Sequence, residues 1–221
     1  MDARAGYTRP DVAFPEYRDE SGAVIPYGEL WGGGSPPDDS YSRLTHPDRF
    51  EIAWTHARAI VDHLAATFDV EVQDGVDPSE GRVPGPEPRV RAHAPGAPAA
   101  VRRLVPRGHG APLTVIETDH PGVFMYAGAT LAALAPHCGC DACDPSEQEL
   151  AGDLEDLAFA VASGTASEGV ERRGVVSTVS GPEGSSEGWS RASLAERRAA
   201  RAAMALHPPF EPWPRRATAR D

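Results

Sequence analysis

Every cysteine of the chain lies in one octapeptide, His137-Cys138-Gly139-Cys140-Asp141-Ala142-Cys143-Asp144. Three thiols in the pattern C-x-C-x-x-C cannot all be paired within one chain, because a disulfide consumes two. The fold must therefore bury unpaired sulfur or gather the sulfurs around a common point. The opening Met1-Asp2-Ala3-Arg4-Ala5-Gly6-Tyr7 has no apolar run of the secretory kind. A reducing cytoplasm is the expected setting, and there clustered thiols are more often metal ligands or redox groups than bridges.

A tetrahedral zinc site takes four donors, and Cys138, Cys140 and Cys143 supply three. His137 is the nearest fourth, although its adjacency to Cys138 makes joint ligation awkward. A distant His, an Asp or a water would serve equally. Two separated C-x-x-C pairs would be the stronger zinc signature, and only one cluster is present. The plainest reading is a corner of buried structural thiols; zinc ligation comes next, and a redox or iron–sulfur role after it. Zinc is the cofactor to test for.

Asp144-Pro145-Ser146-Glu147 has the form of a capping box with proline at the first helical position. Beyond it Leu150, Leu154, Leu157 and Val161 recur at helical spacing, and Gly164 is placed to end the helix. Cys143 would then precede a helix N-terminus, whose partial positive charge favours a thiolate. Asp141 and Asp144 oppose that effect.

A second amphipathic helix is expected from about Pro47 to Phe68, with Phe50, Trp54, Ala57, Val61, Leu64 and Phe68 on one stripe and Thr45-His46-Pro47-Asp48 as its cap. His56 and His63 lie beside that stripe and read as ordinary boundary residues. Strands are expected at Val101 to Val105, Leu113 to Thr118 and Val123 to Ala127, the last two joined by the turn Asp119-His120-Pro121-Gly122. Leu131 to Pro136 leads into the cysteine loop. Gly169 to Val179 offers a further strand or hairpin, Ser180 to Gly188 a polar loop, and Ser193 to about Leu206 an alanine- and arginine-rich helix.

Glycine and proline number 22 each in 221 residues, which implies long loops rather than uniform packing. Asp74 to Pro98 is the most extreme such stretch, with Arg89 to His93 as a short edge strand. Trp31-Gly32-Gly33-Gly34-Ser35 lacks the Gly-Lys-Ser/Thr ending of a phosphate loop and reads as a turn. The expected organisation is an aromatic arm over 1–40, one domain over 41–190, and a helix with a Pro-rich tail over 191–221. The fold class is α+β: a small antiparallel sheet packed by two main helices, with long Pro/Gly-rich loops and loosely packed termini.

The net charge of −12, with 21 arginines and no lysine, disfavours nucleic acid and anionic membrane surfaces as partners. No apolar run reaches the length of a membrane span. A protein or small-molecule partner remains.

Asp39-Ser40-Tyr41-Ser42-Arg43, the Cys138–Asp144 loop and Gly188-Trp189-Ser190 together resemble an uncharacterised actinobacterial family with Y-S-R and C-G-C-D-A-C-D stretches. The likeness covers roughly 38–190. It singles out the loop and implies a cytoplasmic bacterial setting, without implying a mechanism.

Three functional classes follow in order. The first is a non-enzymatic binding or regulatory module whose cysteine loop is a structural corner, with zinc as a staple. The second is a thiol-dependent redox enzyme with Cys143 as reactive sulfur and Cys140 as its resolving partner. The third, a hydrolase or transferase built on histidine and carboxylates, finds no matching motif.

Overall fold

The computed structural model describes residues 2–18, 21–44, 46–78, 97–181 and 184–217. In the N-terminal arm, β1 (Tyr17–Arg18) and β2 (Val24–Ile25) form a two-stranded ribbon. Short 3-10 turns at Asp38–Ser42 and Pro47–Phe50 lead into α1 (Ile52–Thr67). Five strands follow: β3 (Val70–Asp74), β4 (Pro98–Pro106), β5 (Leu113–Thr118), β6 (Gly122–Ala127) and β7 (Leu131–Ala135). Each pairs antiparallel with the next in sequence, so the sheet is a meander. After the cysteine loop come α2 (Glu147–Ser163), then β8 (Ala166–Val170), β9 (Gly174–Gly181) and β10 (Gly184–Arg191) as a second antiparallel sheet, and α3 (Leu194–Met204).

The register decides which face of the large sheet is covered. Leu104 opposes Leu113, Val115 opposes Met125, and Val123 opposes Ala135, so these side chains share a face. They join one core with Ile60, Val61 and Leu64 of α1 and with Leu150, Leu154 and Val161 of α2. Burying each such side chain contributes roughly 1.5–3 kcal/mol, which is why the two periodic stripes dominate the architecture. On the other face Val101, Ile116 and Tyr126 form a smaller cluster with Val76 and Phe124. Strand β5 is consequently buried along its whole length. Helix α3 packs through Ala200 against Val175 and Val170 of the second sheet, a shallow contact that suits its alanine face.

The α+β class with two principal helices on an antiparallel sheet is the observed one. Several boundaries differ. The N-cap of α2 is Ser146, whose hydroxyl accepts from the Glu149 amide while the Glu149 carboxylate accepts from the Ser146 amide. The capping box therefore starts two residues later than expected, because the Asp144 carboxylate accepts from the Leu30 amide instead. The described residues of Ser180 to Gly188 are strand rather than polar loop, since β9 continues to Gly181 and pairs with β10 from Gly184. The candidate strand Arg89 to His93 lies outside the described residues. His56 is no boundary residue, being fully buried, whereas His63 is half-buried with its Nε2 2.9 Å from the Ala3 carbonyl oxygen.

The described parts of both ends are held more tightly than their composition implies. Ala3 is fully buried and its amide donates to Ser163 Oγ, while Tyr7 packs on Phe159 with ring centroids 4.9 Å apart. The tail runs back over the domain: the Trp213 amide donates to Ala162 O, and the Trp213 indole N–H to Ala111 O. Aromatic rings and free backbone amides, not helix or strand propensity, fasten these segments.

Candidate functional site

The cysteine loop joins the end of edge strand β7 to the start of α2, in the corner where sheet and helix meet. The three sulfurs converge there. Cys138 Sγ and Cys140 Sγ are 3.3 Å apart, Cys140 Sγ and Cys143 Sγ 3.6 Å, and all three lie within 4.8 Å of one another. A disulfide needs sulfurs about 2.05 Å apart, so these are free thiols. Cys140 is buried; Cys138 and Cys143 are half-buried.

The loop closes on itself through a turn in which the Cys143 amide donates to Cys140 O at 3.0 Å. It is also pinned from outside. The Asp141 amide donates to Arg43 O at 2.8 Å and the Ala142 amide to Ser40 O at 3.2 Å. The Y-S-R stretch and the cysteine loop, about a hundred positions apart in sequence, are thus two halves of one corner. Gly188-Trp189-Ser190 belongs to exposed β10 instead.

Two further residues support the loop, and neither stands out in the sequence. Arg49, just ahead of α1, is only 4% exposed, and its Nη2 donates to the Cys140 carbonyl at 2.6 Å. Its sole sequence signal is a basic residue beside Phe50 at the head of an apolar stripe. His120, in the β5–β6 turn, lies against Gly139: a Cβ there would meet His120 Nε2 at 2.7 Å. Glycine between the first two cysteines is what lets the loop backbone approach the imidazole so closely.

His137 points elsewhere. Its Nε2 is 2.8 Å from Asp153 Oδ2, and that hydrogen bond raises the imidazole above its usual range. It shares with Cys138, Cys143, Asp144, Glu149 and Asp153 the wall of an open cleft of about 410 Å³.

The thiols are not equivalent. Burial pushes Cys138 up, but hydrogen bonds from the Cys140 amide and from the neighbouring thiols, with the Arg49 charge, together hold it below the ordinary thiol value. Cys143 is pushed up to about 12 by burial, by its hydrogen bonds to Cys138 and Cys140, and by their negative charge. A helix terminus that begins three residues later does not offset this. Of Cys138 and Cys143, it is Cys138 that carries charge the more readily, not the Cys143 that the redox reading needs as its reactive sulfur.

The arrangement defines an α+β protein built around a three-thiol corner that faces an open cleft. Residues 13–217 match the model of a family of unknown function (DUF6226), and the chain belongs to that family. The match takes in most of the N-terminal arm and of the tail, beyond the 38–190 over which the motifs had suggested a likeness. Comparison with curated proteins and with solved structures gives no match.

Proposed function

We propose that this chain is a non-enzymatic binding or regulatory module whose corner is fastened by a zinc ion on Cys138, Cys140 and Cys143. The supporting observation is the spacing of the sulfurs. Zinc–thiolate bonds of about 2.3 Å at tetrahedral angles put sulfurs roughly 3.8 Å apart. Two of the separations, 3.3 and 3.6 Å, need only a small expansion to reach that value, and the third is within 4.8 Å. The fourth donor would come from water, from a protein side chain or from a ligand in the cleft that Cys138 and Cys143 line.

A zinc ion would also account for the chemistry of the donors. Three thiols in mutual contact are hard to ionise one after another, whereas a divalent cation takes them as thiolates together. The buried Arg49 guanidinium adds positive charge beside what would be a net anionic centre. The support comes from the loop's outer hydrogen bonds as much as from the sulfurs, since such partners orient ligands.

Metal analysis of the full chain, purified without oxygen under reducing conditions, tests the reading. The expected result is about one zinc per chain, with loss of metal and a lower Tm on chelation. Replacing any one of the three cysteines by serine should lower the stoichiometry. Metal-free protein with three titratable thiols, and a Tm that added zinc leaves unchanged, would remove the ion from the account.

A further inference from the structure

We propose that the cavity beneath the N-terminal arm binds a small monocarboxylate with an apolar body, held at its charged end by Arg49. This goes beyond the zinc reading and does not depend on it. The cavity holds about 330 Å³ and is walled by Tyr17, Ile25, Tyr27, Leu30, His46 and Arg49, among others. That volume lies at the small end of the range for ligand sites.

Arg49 is the reason to expect an anion. Its guanidinium keeps its proton at any ordinary pH, and the residue is 4% exposed. It has no ion pair with a carboxylate among the described residues. One nitrogen donates to Cys140 O, and the group lies over the Phe50 ring at 4.5 Å from its centroid. Its Nε is buried without a hydrogen-bond acceptor. A buried cation with an unused donor is costly unless something negative fills the place beside it. The Tyr17 hydroxyl on the same wall is buried too, but the Asp48 carboxylate beside it makes it no free donor, so Arg49 alone holds the charged end. Tyr27 is already committed, donating to Arg49 O at 2.8 Å.

The remaining walls select among anions. Asp144 accepts from the Leu30 amide and Glu16 pairs with Arg18; neither bonds to Arg49, yet both bring negative charge to the rim, as Asp48 does beside Tyr17. A dianion such as phosphate is repelled twice over; a single carboxylate is tolerated and can take a bidentate hold on the guanidinium. Ile25, Pro26 and Leu30, with the rings of Tyr17 and His46 5.1 Å apart, suit a flat or aliphatic body. The thiols feel the Arg49 charge, but the guanidinium's hydrogen bond to that loop goes to the Cys140 carbonyl, and its Nε donor is left over for a ligand.

Calorimetric titration of the full chain with acetate, phenylacetate, indole-3-acetate, phenylacetamide and inorganic phosphate tests the assignment. Saturable binding of an aryl acetate is expected, with phenylacetamide and phosphate each weaker by at least about tenfold, the factor that one lost charged contact of about 1.4 kcal/mol produces. Arg49→Met should abolish binding. Because Arg49 also braces the cysteine loop, Ile25→Trp serves as the second variant: it fills the cavity from the arm and should block binding with the circular dichroism spectrum and Tm retained. The proposal is overturned if none of the carboxylates binds, if the amide or phosphate binds as well as the carboxylate, or if Ile25→Trp folds and binds unchanged.

Discussion

The backbone amide of Asp141 donates to the carbonyl of Arg43 across 2.8 Å, and by that bond the turn before α1 holds the cysteine loop in place. The side chains of the same two residues contribute unequally. Asp141 is 6% exposed, while the Arg43 side chain is 49% exposed and its Nε stands 3.9 Å from Asp141 Oδ2. An ion pair so open to solvent is worth less than about 1 kcal/mol. Loss of the buried carboxylate, by contrast, strands its remaining partners at about 1–3 kcal/mol. Arg43→Ala should therefore be nearly silent in chemical denaturation, and Asp141→Ala clearly destabilising. Equal effects would mean that the corner is held by the exposed pair.

The N-terminal arm has its own anchor in Glu155, which is 4% exposed on α2. Arg9 meets it with Nε at 2.8 Å and Nη2 at 3.0 Å, Arg4 with Nη2 at 3.5 Å, and the Tyr7 hydroxyl at 3.4 Å. Truncating the shared acceptor of several half-buried donors costs about 3 kcal/mol. Glu155→Ala should lower stability by that order and expose the arm to trypsin at the Arg4–Ala5 bond under native conditions. Unchanged protection of that bond would show that the aromatic contacts alone fasten the arm.

The parts of this fold that a sequence can disclose are those where one face of an element is apolar. Leu150, Leu154, Leu157 and Val161 announce α2, and all four are buried. Gly184–Arg191 is exposed throughout, so β10 has no alternation to betray it and reads as a loop. Strand β3 does alternate, Val70-Glu71-Val72, but follows α1 so closely that the helical period hides it. At the site, the three sulfurs are legible because their spacing is local. Arg49 and His120 are not, because their relation to the loop exists only once α1 and the β5–β6 turn are packed against it.

Acid should weaken the fold through histidine. His56 is fully buried, and burial pulls its imidazole below the usual value although Glu147 Oε1, 3.3 Å away, acts against this. Burial lowers His207 as well, against the nearby Glu168 charge. For both, the unfolded chain binds the proton more readily, so their contribution is complete above about pH 6.5 and is lost as the pH falls towards the folded values. The slope is at most about 1.4 kcal/mol per pH unit for each group. His137 has the opposite sign, raised by its bond to Asp153, but sits on an exposed pair that solvent screens. Denaturation midpoints should therefore fall between pH 7.5 and 5.5 at constant metal content, and His56→Gln should flatten that slope. A midpoint that rises on acidification would contradict the assignment.

The tail offers the sharpest test of how the domain is closed. Trp213 is 2% exposed, stands edge-on to Phe68 with centroids 5.8 Å apart, and donates its indole N–H to Ala111 O at 3.0 Å. Around it the tail bonds to both helices: the Asp69 amide, just beyond α1, donates to Pro214 O, and the Trp213 amide to Ala162 O in α2. Removing so large a side chain from a packed core costs about 3–5 kcal/mol. Trp213→Ala should approach the stability limit of the domain, whereas Trp213→Phe keeps most of the packing and forfeits chiefly the hydrogen bond, about 1 kcal/mol. Gly110→Ala should act from the opposite side, because its φ of +100° disfavours a side chain and a Cβ there would lie 2.6 Å from Trp213 Cδ1. Combining Gly110→Ala with Trp213→Ala should then cost less than the sum of the two, since the smaller side chain vacates the space the methyl needs. Strict additivity in urea denaturation would show that the strain at Gly110 lies in its backbone and against Glu211 O, 2.9 Å from such a Cβ, and not against the indole.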